Sequence, residues 1–276
     1  MLGRSPKTYE CYSRHLAALA LHYGALPTDL DPEQVHEYLF MLQKRSRTPS
    51  QTYFKHTVYG LRFLLKSEGL EYGYLRLPQV KADKKLPVVL SKQEVWAMLT
   101  HCTLLKHRIL IGLLYGCGLR CMEVRSLRLA DLDFDRLQVK VVQGKGKKDR
   151  YLPLSPHLAR GLKTYIAAEK PQGYLFGGAR SMDPSGPGYS QKGVQWAVKE
   201  AAKRAGIIKQ VCVHTLRHTF ATHLLEDGLD ILHVKELLGH GDIETTLVYL
   251  HVARVDGRKP FSPLDTLFDQ CRPNTK

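Results

Sequence analysis

Clustered carboxylates, paired cysteines and long apolar runs are all missing from this chain. Aspartate and glutamate number 26 against 41 lysines and arginines. They do not gather into the ligand sets a metal-dependent nuclease needs, which argues against that chemistry. The six cysteines form no C-x-x-C pair and no regular spacing, so they read as reduced thiols of a cytosolic protein. Cys117 and Cys121, four apart on one predicted helix, fit packing better than a zinc site. The longest apolar run, Ile109 to Leu119, is too short to span a bilayer, and the first residues hold no signal-peptide core. The expected place of action is therefore the cytoplasm, with no membrane role.

What the chain does carry is positive charge. A formal +15 over 276 residues points to a polyanion, with nucleic acid ahead of an anionic membrane and of a merely basic soluble protein. The length allows two compact domains. Residues 1–80 read as short amphipathic helices, one opened by Ser5-Pro6, one at Asp31-Pro32, and one starting at Thr48 or Ser50 and ending by Gly69. Lys44, Arg45 and Arg47 form a basic link, and Lys55, Arg62 and Lys66 decorate the third helix. They read either as a solvated surface or as phosphate contacts along DNA. Residues 81–89, with Lys84 and Lys85, read as a linker that could also touch DNA.

From residue 90 a second domain is expected. Ser91 and Glu94 make a capping box. Gly116 and Gly118 let the backbone turn tightly and set Arg120 at the start of a helix. Leu137 to Val142 alternates as a strand, GKGKKDR (Lys145, Lys147, Lys148) turns, and Arg150 to Leu154 returns as its partner. Residues 173–188 are rich in Gly, Pro and Ser, and 179–191 match no motif. Residues 253–276 form a tail with one apolar patch, Phe261 to Phe268. The segment Val211 to Leu250 organises the rest. In it a helix rich in basic and imidazole side chains ends at Gly228, an amphipathic helix seated by Leu232, Leu237 and Leu238 ends at Gly239, and a short helix capped by Asp242 carries Tyr249. His214 and Arg217, three apart, share a helix face and could grip one phosphate.

The order H-x-x-R, then Gly-His, then a tyrosine nine residues on resembles the tyrosine recombinase (phage integrase) family, in its Xer-type and integron-integrase branches. The family's motif maps onto Arg120, Lys145, His214, Arg217, His240 and Tyr249, with Glu123 at its supporting acidic position. The resemblance covers residues 90–252 and, more loosely, the helical N-terminus. It implies a mainly α fold with a small antiparallel sheet in the catalytic domain, and a two-domain C-shaped clamp on double-stranded DNA. It also implies cleavage by Tyr249 to a 3′-phosphotyrosyl link and strand exchange through a Holliday junction. No metal, ATP or other cofactor is implied. A homotetramer on two sites is expected, with the tail docking on a neighbour and room for a partner recombinase or accessory protein.

The residues suit that chemistry. Arginine forks bind both non-bridging oxygens and keep their charge, which fits Arg120 and Arg217. His214 and His240 can add hydrogen bonds or help take the tyrosine proton. A phenol with a pKa of about 10 is a poor nucleophile unless neighbouring cations stabilise its phenolate. Lys145 could protonate the leaving oxygen. Taken singly, each has a plainer reading: a surface arginine, a solvated turn lysine, a packed tyrosine. His214 and His218, four apart, could suggest a metal pair, but no further ligand follows at suitable spacing. The rival functions are a type IB topoisomerase-like enzyme that reseals the same strand, and a DNA-binding accessory protein without catalysis.

Overall fold

The computed structural model describes residues 6–44, 51–70, 86–142, 149–177 and 188–253. The chain divides into two compact units, residues 1–84 and 85–276. Among the described residues, the first unit holds three helices, α1 (Pro6–Tyr23), α2 (Pro32–Lys44) and α3 (Gln51–Ser67). Val58, Leu61 and Leu65 recur at helical spacing on α3 and pack with Leu19, Val35 and Leu39 into a small core. Each such side chain, once buried, contributes about 1.5–3 kcal/mol of transfer free energy. Arg45, Arg47, Lys84 and Lys85, and the start expected at Thr48 or Ser50, lie outside the described residues.

The second unit runs through α4 (Lys92–Thr100), α5 (Leu105–Gly116), α6 (Cys121–Ser126), β1 (Leu132–Asp133), β2 (Gln138–Val141) and β3 (Arg150–Pro153). It continues with α7 (Pro156–Glu169), α8 (Gln191–Arg204), α9 (Val213–Glu226), α10 (Ile231–Leu238) and α11 (Glu244–Leu247). The fold is thus mainly helical with one small antiparallel sheet, as expected. The strands lie in the order β1-β2-β3, with Leu132 opposite Val139 and Val139 opposite Leu152. The Ser91–Glu94 capping box is present in full. At the centre, α5 and α9 pack together, with Leu110, Ile111, Leu113, Leu114 and Leu216 fully buried. Because α9 is covered on nearly every side, Thr219 takes its partners from inside the fold. The Thr219 hydroxyl donates to the Thr215 carbonyl and accepts from the Leu90 N–H.

Several local expectations are corrected. Leu137 sits at φ 51, a left-handed turn conformation, so the strand starts at Gln138. The two-residue strand β1 was not foreseen, being too short to show alternation. Cys117 caps the end of α5 and Cys121 begins α6, so they do not share a helix. Leu232 is 57% exposed and does not seat α10; Val234 and Leu238 do. Asp242 does not cap α11 with its side chain; its carbonyl accepts from the Thr245 hydroxyl instead. Tyr249 lies just beyond α11 rather than on it. None of the described helices is long and apolar enough to cross a membrane.

Candidate active site

Glu123 is the hub from which the site is built. The first turn of α6 places its carboxylate back toward the helix start, where it accepts the Arg120 backbone N–H at 2.8 Å and the Arg120 side chain at 2.7 Å. Arg150, at the start of β3, binds both carboxylate oxygens, at 3.0 and 2.8 Å. Arg217 stands 3.9 Å away. Burial by itself would raise the Glu123 carboxyl, but the hydrogen bonds from Arg150 and Arg120, with their charge, reverse this and hold it at about 2.

The arginines are anchored from the other side by backbone. Arg217 is almost fully buried; it donates to the Gly118 carbonyl at 2.6 Å and to the Leu238 carbonyl. Arg120 donates to the Gly239 carbonyl at 3.2 Å, and Arg150 to the Leu237 carbonyl at 2.9 Å. The end of α10 is therefore a row of carbonyls that aims three guanidinium groups. Gly239 takes φ 61 to end that helix, the left-handed cap that leaves these carbonyls free of the helix ladder. Burial, and then repulsion from Arg120, brings Arg217 down to about 10, which still leaves it a cation at neutral pH.

Gly118 explains the tight turn before Arg120. It sits at φ 60, and a Cβ there would lie 2.4 Å from the Phe220 ring. We expect Gly118→Ala to destabilise the unit by about 1–3 kcal/mol from overpacking, with added backbone strain, and to loosen the Arg217 anchor. Thermal unfolding checks this, and a melting point equal to that of the parent would contradict it.

Tyr249 is almost fully buried, its ring packed with Phe220, Leu225, Val234 and Leu238. Its hydroxyl lies 3.0 Å from His218 Nδ1. The His240 ring is stacked beside it at 6.4 Å, and His240 Nδ1 is 2.9 Å from the Thr246 hydroxyl. Burial raises the Tyr249 phenol above its ordinary value, while Arg217 and Arg120 pull it back only in part. Burial outweighs the two cations, so the phenol is protonated at neutral pH. Burial, with the His214 and Arg217 charges, lowers His218 to about 4, so it is a neutral imidazole at pH 7.

Of the residues singled out from the sequence, Arg120, Glu123, Arg217, His240 and Tyr249 come together here. His214 is exposed on α9, 6.3 Å from His218 between ring centroids. Lys145, Lys147 and Lys148 lie outside the described residues. Two contributors were missed: Arg150, read only as a strand start, and His218, weighed only as half of a metal pair. Basic residues beside Arg217 and at a hairpin base were the signals available. In the first unit, Lys55, Arg62 and Lys66 fall seven and four residues apart, one stripe of α3 about 16 Å long. Lys44 lies over the Phe40 ring at 4.5 Å.

The phage integrase family profile matches residues 88–255. A tyrosine recombinase of Pseudothermotoga lettingae is 34% identical over 259 residues, covering 88% of this chain and 84% of that protein. Tyrosine recombinase XerA of Thermococcus kodakarensis is 34% identical over 253 residues, covering 91% and 86%. Among solved structures, a XerA recombinase matches with a TM-score of 0.55 at 25% identity, over 98% of this chain and 93% of that one. The Tn1549 transposon integrase in complex with transposon right end DNA shares the fold at a TM-score of 0.68 and 18% identity, over 99% and 96%. With its arginines, histidines and tyrosine in this order and its fold matched over nearly the whole length, the chain belongs to the phage integrase family, as a Xer-type site-specific tyrosine recombinase.

Proposed function

We propose that the chain cuts and rejoins double-stranded DNA through Tyr249, without metal or ATP. The observation that carries this reading is the meeting, in one unit, of a tyrosine hydroxyl, a neutral imidazole 3.0 Å from it, and two arginines whose charge reaches the phenol. Arg120 and Arg217 bind the non-bridging oxygens of the scissile phosphate. Their carbonyl anchors use only part of the five N–H donors each guanidinium carries. The Tyr249 oxygen attacks phosphorus in line as its proton passes to His218. His240 and His214 donate to the phosphate. The bond from phosphorus to the 5′ oxygen breaks, and Lys145 supplies the proton that makes it a hydroxyl. The phosphotyrosine keeps the bond energy, so a 5′-hydroxyl from a partner strand can reverse the step and exchange strands through a Holliday junction.

In this reading residues 1–80 are a DNA-gripping module, 81–89 a linker and 90–252 the catalytic domain. Lys44, Arg45, Arg47, Lys55, Arg62, Lys66, Lys84, Lys85, Lys147 and Lys148 meet phosphates. Four copies assemble on two sites in the cytoplasm, at the nucleoid, and residues 253–276 dock on a neighbour. An apolar recess of about 560 Å³ lined by Trp96, Leu99, Leu105, Ile109 and Leu158 suits the tail's patch from Phe261 to Phe268.

The test uses end-labelled duplex carrying a binding site selected from random sequence, incubated with the protein in EDTA. Expected are a 5′-hydroxyl end and a protein-linked 3′ end, with a rate within about twofold of that without EDTA. A 5′-phosphate end, or loss of cutting in EDTA, would contradict the reading. Plasmid relaxation with no exchange between two sites would favour the topoisomerase-like alternative. We also expect His218→Ala to slow cutting about 10²–10⁴-fold at neutral pH, the range for a lost proton acceptor, with DNA binding retained. A gel-shift and cleavage assay run together would show it, and an unchanged cutting rate would remove His218 from the mechanism.

A further inference from the structure

Three metal-ligating side chains, none of them given a role above, meet in the first unit. Cys11 and His15 are four apart on α1 and therefore stack on one helix face. His56 comes across from α3, the helix on which α1 packs. The Cys11 sulfur is 3.3 Å from His56 Nδ1, and the His15 and His56 ring centroids are 5.5 Å apart. One ligand atom from each of the three lies within 4.8 Å of the others. The Cys11–His56 distance matches the about 3.5 Å between sulfur and nitrogen corners of a tetrahedral site with bonds of about 2.3 and 2.0 Å, and the 4.8 Å limit on the set leaves about 1 Å for the His15 ring to close on binding. A second observation singles out the same place. His15 is 93% buried (7% exposed), and its Nδ1 has no hydrogen-bond partner among the described residues. An orphaned ring nitrogen in a core is costly, and a cation beside it supplies what the protein leaves out.

We propose that Cys11, His15 and His56 bind a zinc ion, with a fourth position open to water. One thiolate and two imidazoles form a borderline-soft donor set that suits zinc over magnesium or calcium, which take oxygen ligands. The ion would cross-link α1 to α3 and stiffen the helical unit. Its ligands lie in the first unit and Tyr249 in the second, and no step of the cleavage proposed above uses it.

The test uses the full chain, freed of metal by chelation, and titrates it with zinc and then with cobalt(II) as a spectroscopic probe. Expected are one tight zinc equivalent per chain, a higher melting temperature with zinc, and tetrahedral cobalt bands with a sulfur-to-cobalt charge-transfer band. Cys11→Ser should abolish the charge-transfer band, and both Cys11→Ser and His56→Gln should weaken zinc by at least the ~10–100-fold that even an outer-shell loss costs. His15 is left intact in both variants because its ring is part of the core. Absence of the charge-transfer band in the parent, or zinc affinity and melting shifts unchanged in the variants, would overturn the site. Cutting by the metal-free protein is expected to persist, so failure of this proposal and failure of the cleavage reading are read separately.

Discussion

Replacing Tyr249 by phenylalanine leaves a protein that folds and binds DNA but forms no covalent link to it. The ring keeps its place among Phe220, Leu225, Val234 and Leu238, so the apolar contacts survive. What is lost is one hydrogen bond with His218, worth about 1 kcal/mol. The arginines keep their anchors, because none of their hydrogen bonds involves the tyrosine hydroxyl. Cutting should fall by at least about 10⁴-fold, the scale seen when a covalent nucleophile is removed. A native gel beside a denaturing gel checks both halves. Covalent adduct in the variant would mean that another residue attacks.

Glu123→Ala should be the most damaging single change away from the nucleophile. It strips the counter-charge from the partly buried Arg120 and Arg150 and from the buried Arg217, leaving cations crowded together with little water to screen them. Breaking a buried pair in this way costs about 3–5 kcal/mol. Glu123→Gln keeps the shape and some hydrogen bonds and should lose less, with cutting still impaired because the arginines are no longer held in place. The pH dependence follows. The carboxyl titrates at about 2 when folded and near the ordinary 4.5 when unfolded. Its stabilisation is therefore complete above about pH 4.5 and is lost as pH falls toward 2, about 3 kcal/mol in all. His218 adds an earlier loss: its folded pKa of about 4 lies below the ordinary 6.5, so the unfolded chain takes up that proton first as pH drops below 6.5. Urea unfolding across pH 7 to 3 checks this. A Glu123→Ala protein as stable as its parent at pH 7 would refute the hub.

Most residues of the candidate site were legible in the sequence because the motif is local at each point. The H-x-x-R turn, the Gly-His turn and the tyrosine lie within one 40-residue stretch, and glycines mark where its helices end. The helical class was legible from apolar periodicity in the same way. What escaped depended on contacts between distant segments. Arg150 reaches Glu123 across 27 residues, and nothing at a strand start announces a carboxylate partner. His218 was visible as an imidazole, but its partner Tyr249 is 31 residues away and becomes adjacent only when α9 and the end of α11 meet. The raised phenol was missed for a related reason: the cations are plain in the sequence, while the apolar cluster that outweighs them is assembled from three elements. Cys11 and His56, which meet in the first unit, are 45 residues apart in the chain. Base preference is out of reach for the same reason, since it rests on a few side chains aimed by a docked geometry.

The most direct measurement is to identify the amino acid that carries the DNA. Wild-type protein is incubated in EDTA with a nicked duplex that releases the cut fragment, so that the covalent complex accumulates. The DNA is then digested and the peptides are sequenced by mass spectrometry. A nucleotide joined to Tyr249 through its 3′-phosphate is the predicted result. A nucleotide on any other side chain, or linkage through a 5′-phosphate, would contradict the assignment of Tyr249 as the nucleophile.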